Sequence, residues 1–220
     1  MNLFDAVLFD FDGTIADTST GIFNSIRYAL AQESIPVGDA SALSYFIGPP
    51  LYDGFQHVYG VSHEQACRLV EEYRVFYANK GVYQCTVYPG VRELLTELHG
   101  TGAKLAVTSS KPLHFLKVVL PYLELDQLFD AVVGPDLNNE NADKTSLCLS
   151  ACSRLGVQAD RRTAMVGDRC YDMSGAVKAG LTAVGAAYGF GSAEELRDAG
   201  AHCLAEDAAA LRSILIKNDE

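Results

Sequence analysis

Short apolar runs recur at Ala6–Phe9, Lys104–Thr108, Ala131–Val133, Ala164–Val166 and Thr182–Gly185. Helix-length segments separate the later runs, at Val91–His99, Pro112–Leu120, Thr145–Leu155 and Asp172–Ala179. The runs read as strands buried on both faces, and strands alternating with helices in this way build βαβ units with a parallel sheet between two helical layers. The expected fold class is α/β, a Rossmann-like parallel-sheet core with helices on both faces. The alternation stops between residues 16 and 86, where stretches such as "TGIFNSIRYALAQ" and "SHEQACRLVEEYRVFYANKG" carry only helical periodicity, and Ser62 and Gln65 have capping-box spacing. An all-helical cap at 16–86, inserted after the first strand of a core made of 1–15 and 87–220, is the economical description.

At 220 residues the chain is long enough for one core with such an insertion. No apolar run approaches the roughly 20 residues a bilayer crossing needs, and the N-terminal "MNLFDAVLFDFDG" lacks the basic and long apolar regions of a leader, so no membrane partner and a cytoplasmic location are expected. A formal charge of −11 argues against polymeric nucleic acid as a partner. It also requires strong local compensation wherever an anionic substrate binds. The six cysteines form no CxxC pair, which disfavours a zinc knuckle and a disulfide scaffold; Cys148 and Cys152, four apart, read as buried thiols.

The chemistry-bearing residues share an address. Asp10 and Asp12 follow the first run, Ser109 and Ser110 the second, and Gly167-Asp168 the run at Ala164–Val166, all at carboxyl ends, where ligands of open α/β sheets bind. Asp10 and Asp12 flank Phe11, and like charges this close are costly unless a cation or a shared proton compensates.

In this order the motifs resemble those of the haloacid-dehalogenase-like hydrolase superfamily. "DFDGT" at Asp10–Thr14 is similar to its first motif, "AVTSSKP" at Ala106–Pro112 to its second, Lys144 to its third and "MVGDRCYD" at Met165–Asp172 to its fourth. "YFIGPPL", "VYPGVRELL" and "GDRCYDMSGAVKAG" resemble the branch with 5′-nucleotidase-like and phosphoglycolate-phosphatase-like members. One departure is "ADKTSL" where many relatives have Lys-Pro in the third motif.

The resemblance implies a Mg²⁺-dependent phosphatase acting on a small phosphomonoester. Mg²⁺ prefers a few protein oxygens together with water and substrate phosphate, which the residue types here supply. Asp10, Asp168 and the main-chain carbonyl of Asp12 are the implied ligands, with Asp172 acting through water or by orienting its neighbour. Asp10 is the implied nucleophile and Asp12 the acid and base; a second acid favours phosphoryl transfer over dehalogenation, because halide needs no proton to leave. Ser109, the Ser110 N–H and Lys144 are the implied phosphate contacts. Gly13 permits the sharp turn after Asp12, and Thr14 fixes that loop.

In the cap, the aromatic cluster around "IGPP" makes Phe46, with Gly48 beside it, the candidate substrate contact, since aromatic faces stack on nucleobases. A carboxylate-bearing substrate would ask for Arg or Lys, and the cap span holds only Arg27, Arg68, Arg74 and Lys80. The expected substrate is thus a 5′-nucleoside monophosphate, with phosphoglycolate as the alternative; a phosphomutase on the same core and a non-catalytic binding module are the competing classes. "YGFGSAEEL" at Tyr188–Leu196 reads as structural, with Ser192 and Glu195 as a capping box.

Overall fold

The computed structural model describes residues 3–48, 50–137 and 143–217, so Pro49 of "IGPP" and Ala142 before Lys144 lie outside the described residues. The chain divides into two compact units, Thr18–Thr86 and the pair Met1–Asp17 with Val87–Glu220.

The smaller unit contains α1 (Ser19–Gln32), α2 (Ala40–Ser44), α3 (Leu51–Tyr59) and α4 (His63–Asn79). Ser62 caps α4 by accepting from the Gln65 N–H at 3.2 Å, which satisfies one of the orphan donors of the first turn. Ile22, Ile26, Ala29 and Leu30 line the buried face of α1, and Tyr28 meets Phe76 of α4 with ring centroids 5.2 Å apart.

The larger unit is built on one parallel sheet of β1 (Ala6–Phe9), β2 (Lys104–Thr108), β3 (Ala131–Val133), β4 (Thr163–Gly167), β5 (Thr182–Ala186) and β6 (Cys203–Ala205). Its helices are α5 (Val91–Gly100), α6 (Leu113–Tyr122), α7 (Lys144–Leu155), α8 (Cys170–Lys178), α9 (Ala193–Asp198) and α10 (Ala208–Leu215). All four residues of β1 are buried, as an apolar run covered on both faces must be. Leu8, Ala106 and Met165 of the central strands pack against Cys148, Ala151 and Cys152 of α7 and Met173 and Ala176 of α8. Full burial of a side chain such as Leu8 or Met165 stabilises the fold by about 1.5–3 kcal/mol. All six cysteines are free, and burial pushes the Cys148 thiol up to about 12, so it serves as packing.

The spatial order is β3-β2-β1-β4-β5-β6. Val7 pairs with Leu105 on one side and Ala164 on the other, so the chain runs outward from β1 in one direction, returns, and runs outward again from β4. That reversal opens a crevice beyond the carboxyl ends of β1 and β4. β1, β2 and β3 match the expected runs residue for residue, while β4 and β5 are slightly longer. β6 and α10 were not anticipated. β6 is a three-residue edge strand with only Ala205 fully buried, too short an apolar signal to stand out.

Candidate active site

Asp10 extends β1 by one residue, its N–H donating to the Val166 carbonyl of β4 at 2.8 Å. The chain then folds back at once, with the Ile15 and Ala16 N–H groups on the Phe11 carbonyl at 3.0 and 3.1 Å. Gly13 takes φ +84°, and a Cβ placed there would lie 2.2 Å from Asp168 Oδ2. A side chain at this position is excluded by both conformation and space. The turn therefore sits directly against Asp168 at the end of β4.

Lys144 arrives from α7. Asp143 caps that helix by accepting from the Thr145 and Ser146 N–H groups at 2.9 and 3.2 Å, which puts Lys144 in the first turn, where the helix dipole disfavours a cation. Two carboxylates outweigh that cost: Lys144 Nζ lies 2.7 Å from Asp10 Oδ1 and 2.7 Å from Asp172 Oδ1. Burial works against the ammonium, but Asp10 and Asp172 more than reverse it and hold Lys144 charged.

Asp168 is fixed at both oxygens. Thr14 Oγ1 donates to Oδ1 at 3.0 Å and the Phe190 N–H donates to Oδ2 at 2.9 Å. Asp172 Oδ2 accepts from the Arg169 N–H at 3.0 Å. Asp10, Asp168 and Asp172 are all buried and offer ligand atoms within 4.8 Å of one another. Burial raises Asp10 to about 6, with Asp172 and Asp12 adding to the shift and Lys144 opposing it. Burial likewise lifts Asp168 well above the usual carboxylate range, reinforced by Asp172 and Asp10. The cluster is therefore short of positive charge.

Asp12 is served by Lys111, which the motif order does not single out. Lys111 Nζ donates to Asp12 Oδ1 at 2.8 Å and to Oδ2 at 3.0 Å, and both side chains are largely buried. Each aspartate flanking Phe11 thus has its own lysine. Ser109 is buried, its N–H donating to the Val133 carbonyl and its Oγ accepting from the Lys111 N–H, while Ser110 beside it is exposed. Thr108, wholly buried, has a hydroxyl without a hydrogen-bond partner among the described residues.

The "YGFG" loop, structural by its sequence pattern, also touches the acids. Besides the Phe190 N–H on Asp168, the Tyr188 hydroxyl donates to the Thr14 carbonyl at 2.9 Å. Gly191 passes so close that a Cβ would lie 2.0 Å from the Asp168 carbonyl oxygen. Ser192 does cap α9, accepting from the Glu195 N–H at 3.0 Å. The Glu195 side chain, however, reaches across to α8, where it accepts from Arg169 Nε and the Cys170 N–H, both at 2.9 Å.

In the smaller unit the expectation for Phe46 needs correction. The ring is only 3% exposed, edge-on to Phe55 at 4.9 Å and pressed over Gly54, where a Cβ would lie 2.7 Å from it. It is a packing residue with no face free for stacking. The neighbouring Tyr45 is 39% exposed and stacks on His57 at 4.7 Å. Gly48 is exposed, with φ +112°.

These residues suit a hard divalent cation. Asp10, Asp12, Asp168 and Asp172 face Lys144 and Lys111, which leaves two negative charges, and the three clustered carboxylates supply the oxygen donors such an ion prefers. Cations and oriented donors around one buried carboxylate can bind and polarise a phosphoryl group.

A family model described as haloacid dehalogenase-like hydrolase matches residues 7–186. The chain is 37% identical over 209 residues to a 5′-nucleotidase of Pseudomonas aeruginosa, covering 95% of this chain and 94% of that protein. It is 30% identical over 189 residues to a phosphoglycolate phosphatase of Caulobacter vibrioides, covering 84% and 79%. Among solved structures, a predicted phosphatase from Clostridium acetobutylicum superposes with a TM-score of 0.89 at 37% identity, over 96% of this chain and 97% of the other. Among the described residues no helix is long and apolar enough to cross a membrane.

Proposed function

The chain belongs to the haloacid dehalogenase-like hydrolases and is a phosphatase, and from that membership we propose that it hydrolyses small phosphomonoesters with Mg²⁺ through an aspartyl-phosphate on Asp10, favouring 5′-nucleoside monophosphates. The observation that carries this reading is the buried trio Asp10, Asp168 and Asp172 with Lys144 at the carboxyl edge of the sheet.

Asp10, Asp168, Asp172 and the Asp12 carbonyl would hold the ion. When bound, it would offset negative charge on the phosphoryl oxygens. Lys144 orients Asp10 and adds a point charge beside it. Ser109 offers its hydroxyl hydrogen and Ser110 its N–H to the phosphoryl oxygens. The Asp10 carboxylate forms a bond to phosphorus as the ester P–O bond breaks, and Asp12 gives its proton to the departing oxygen. A water oxygen then replaces Asp10 on phosphorus, and the proton it loses returns to Asp12.

The helical unit Thr18–Thr86 is assigned substrate selection, as a cap. Its arginines are already engaged, Arg27 with Asn24, Arg68 with Glu33 and Glu64, and Arg74 with Glu71, which favours a substrate without a second carboxylate. Tyr45 takes the stacking role first expected of Phe46. The similarity to the Pseudomonas 5′-nucleotidase supports the same choice, and the similarity to the Caulobacter enzyme keeps phosphoglycolate as the competitor.

Phosphate release with Mg²⁺ across nucleoside 5′-monophosphates, phosphoglycolate and sugar phosphates tests the proposal. The expected outcome is a higher kcat/KM for a nucleotide, with Tyr45→Ala raising KM for that nucleotide alone. A higher kcat/KM for phosphoglycolate would overturn the substrate assignment, and isomerised sugar phosphate without phosphate release would identify a mutase.

A further inference from the structure

We infer that Lys111 is the positioning residue for Asp12, fixing the plane of that carboxyl so that one oxygen faces the leaving group in the first step and the attacking water in the second. The inference rests on the acid–base reading of Asp12 given above and assigns it a partner.

A surface lysine would wander, but this one is held. Its own N–H donates to Ser109 Oγ at 3.2 Å, and the backbone on either side is tied to β3 and the segment after it, Ser109 N–H to the Val133 carbonyl at 3.0 Å and Leu113 N–H to the Pro135 carbonyl at 2.9 Å. Gly134 lies so close that a Cβ there would come within 2.5 Å of the Lys111 carbonyl oxygen. The side chain is 5% exposed, and its ammonium passes 5.6 Å from the centre of the Phe11 ring. Removing a charge this far from water is costly unless it is paired, and the pairing is with both oxygens of Asp12.

Among the described residues Lys111 is the one hydrogen-bond donor to that carboxylate. A carboxyl on two rotatable bonds, flanked by no other donor, would sample orientations that miss the leaving oxygen; a fixed ammonium on one side removes them. When Asp12 carries the proton, Lys111 keeps one oxygen as its acceptor and the O–H turns toward the ester. When Asp12 has given the proton up, both oxygens return to the ammonium.

The experiment compares Lys111→Met, Asp12→Asn and the double variant on an alkyl and an aryl phosphate, since the alkyl ester needs its leaving oxygen protonated and the aryl ester hardly does. Lys111→Met should lower kcat for the alkyl ester by about 100-fold and for the aryl ester by about 10-fold or less, with KM nearly unchanged. In the Asp12→Asn background the same substitution should add less than about 3-fold, because residues acting as a unit are not additive. Lys111→Gln, which keeps a donor, is measured alongside and should recover part of the loss; it carries the comparison if the Met variant does not fold. Equal losses on both esters, or a full Lys111 effect without Asp12, would overturn the proposal with the acid–base reading intact. Asp12→Asn losing no preference between the esters would overturn that reading and this proposal together.

Discussion

Gly13 shows how little freedom individual positions have. Its φ of +84° disfavours any side chain, by about 1–2 kcal/mol, and the space a Cβ would need is taken by Asp168 Oδ2. Gly13→Ala should therefore push Asp168 off its Thr14 and Phe190 donors, and the expected result is loss of most turnover with a weakened Mg²⁺ titration. Wild-type metal dependence in the alanine variant would show that the turn has room. Not every such constraint was readable from the chain. Asp10, Lys144, Asp168 and Asp172 could be named because strand ends and motif order pointed to them, and the structure brings them together. Lys111 could not, because a lysine in "SSKP" looks like a solvated cation until the sheet carries it back across 99 positions to Asp12. Phe46 failed for the opposite reason: aromatic composition marks a cluster without saying which ring turns inward, and Gly54 leaves a slot that this ring fills.

Elements carry information that single positions do not. The strands β1, β2 and β3 could be read because an apolar run between turn residues has few other uses, whereas β6 lies at the sheet edge and shows only three residues of pattern. Glu195 belongs to the same lesson. Spacing identified it correctly as part of a helix start, but the side chain latches α9 onto the first turn of α8 through Arg169 and Cys170, the turn that holds Asp172. Loosening that latch frees the loop whose Phe190 N–H holds Asp168. Glu195→Ala should weaken Mg²⁺ binding by about 10-fold, the size expected when a group orienting a ligand is lost, with Glu195→Gln in between. Calorimetric titration of the metal checks this without recourse to turnover, and an unchanged Kd would assign Glu195 to helix packing alone.

For the molecule as a whole, the crowded acids tie stability to pH and to metal. Asp10 and Asp168 hold protons more tightly when folded than a free carboxyl near 3.9, so the folded state binds more protons over that interval. Stability then falls as pH rises from about 4 through about 6, the reverse of a salt-bridged acid. Lys144, raised by its partners, stays charged across the window and adds no slope. In chelator, thermal unfolding from pH 4.5 to 7.5 should show wild type losing ground to Asp168→Asn as pH rises. Mg²⁺ at about 100 times its Kd should then restore about 2.7 kcal/mol at pH 7, roughly 5–10 °C in Tm. A wild-type advantage growing with pH in the absence of metal would contradict the raised carboxyl of Asp168.

Several of the contacts around the acids span long stretches of chain: Lys144 reaches Asp10 across 134 positions, Thr14 reaches Asp168 across 154 and Tyr188 reaches Thr14 across 174. During synthesis the first strand emerges carrying aspartates whose partners have not yet been made. The nascent polypeptide must keep these charges hydrated until Lys111 and then Lys144 have been made, and only then can they be paired and taken out of water. Contacts so distant in sequence form slowly. Completion of the acidic centre thus waits for β4 and the loop after β5, which bring Asp168, Asp172 and the Phe190 N–H to Asp10.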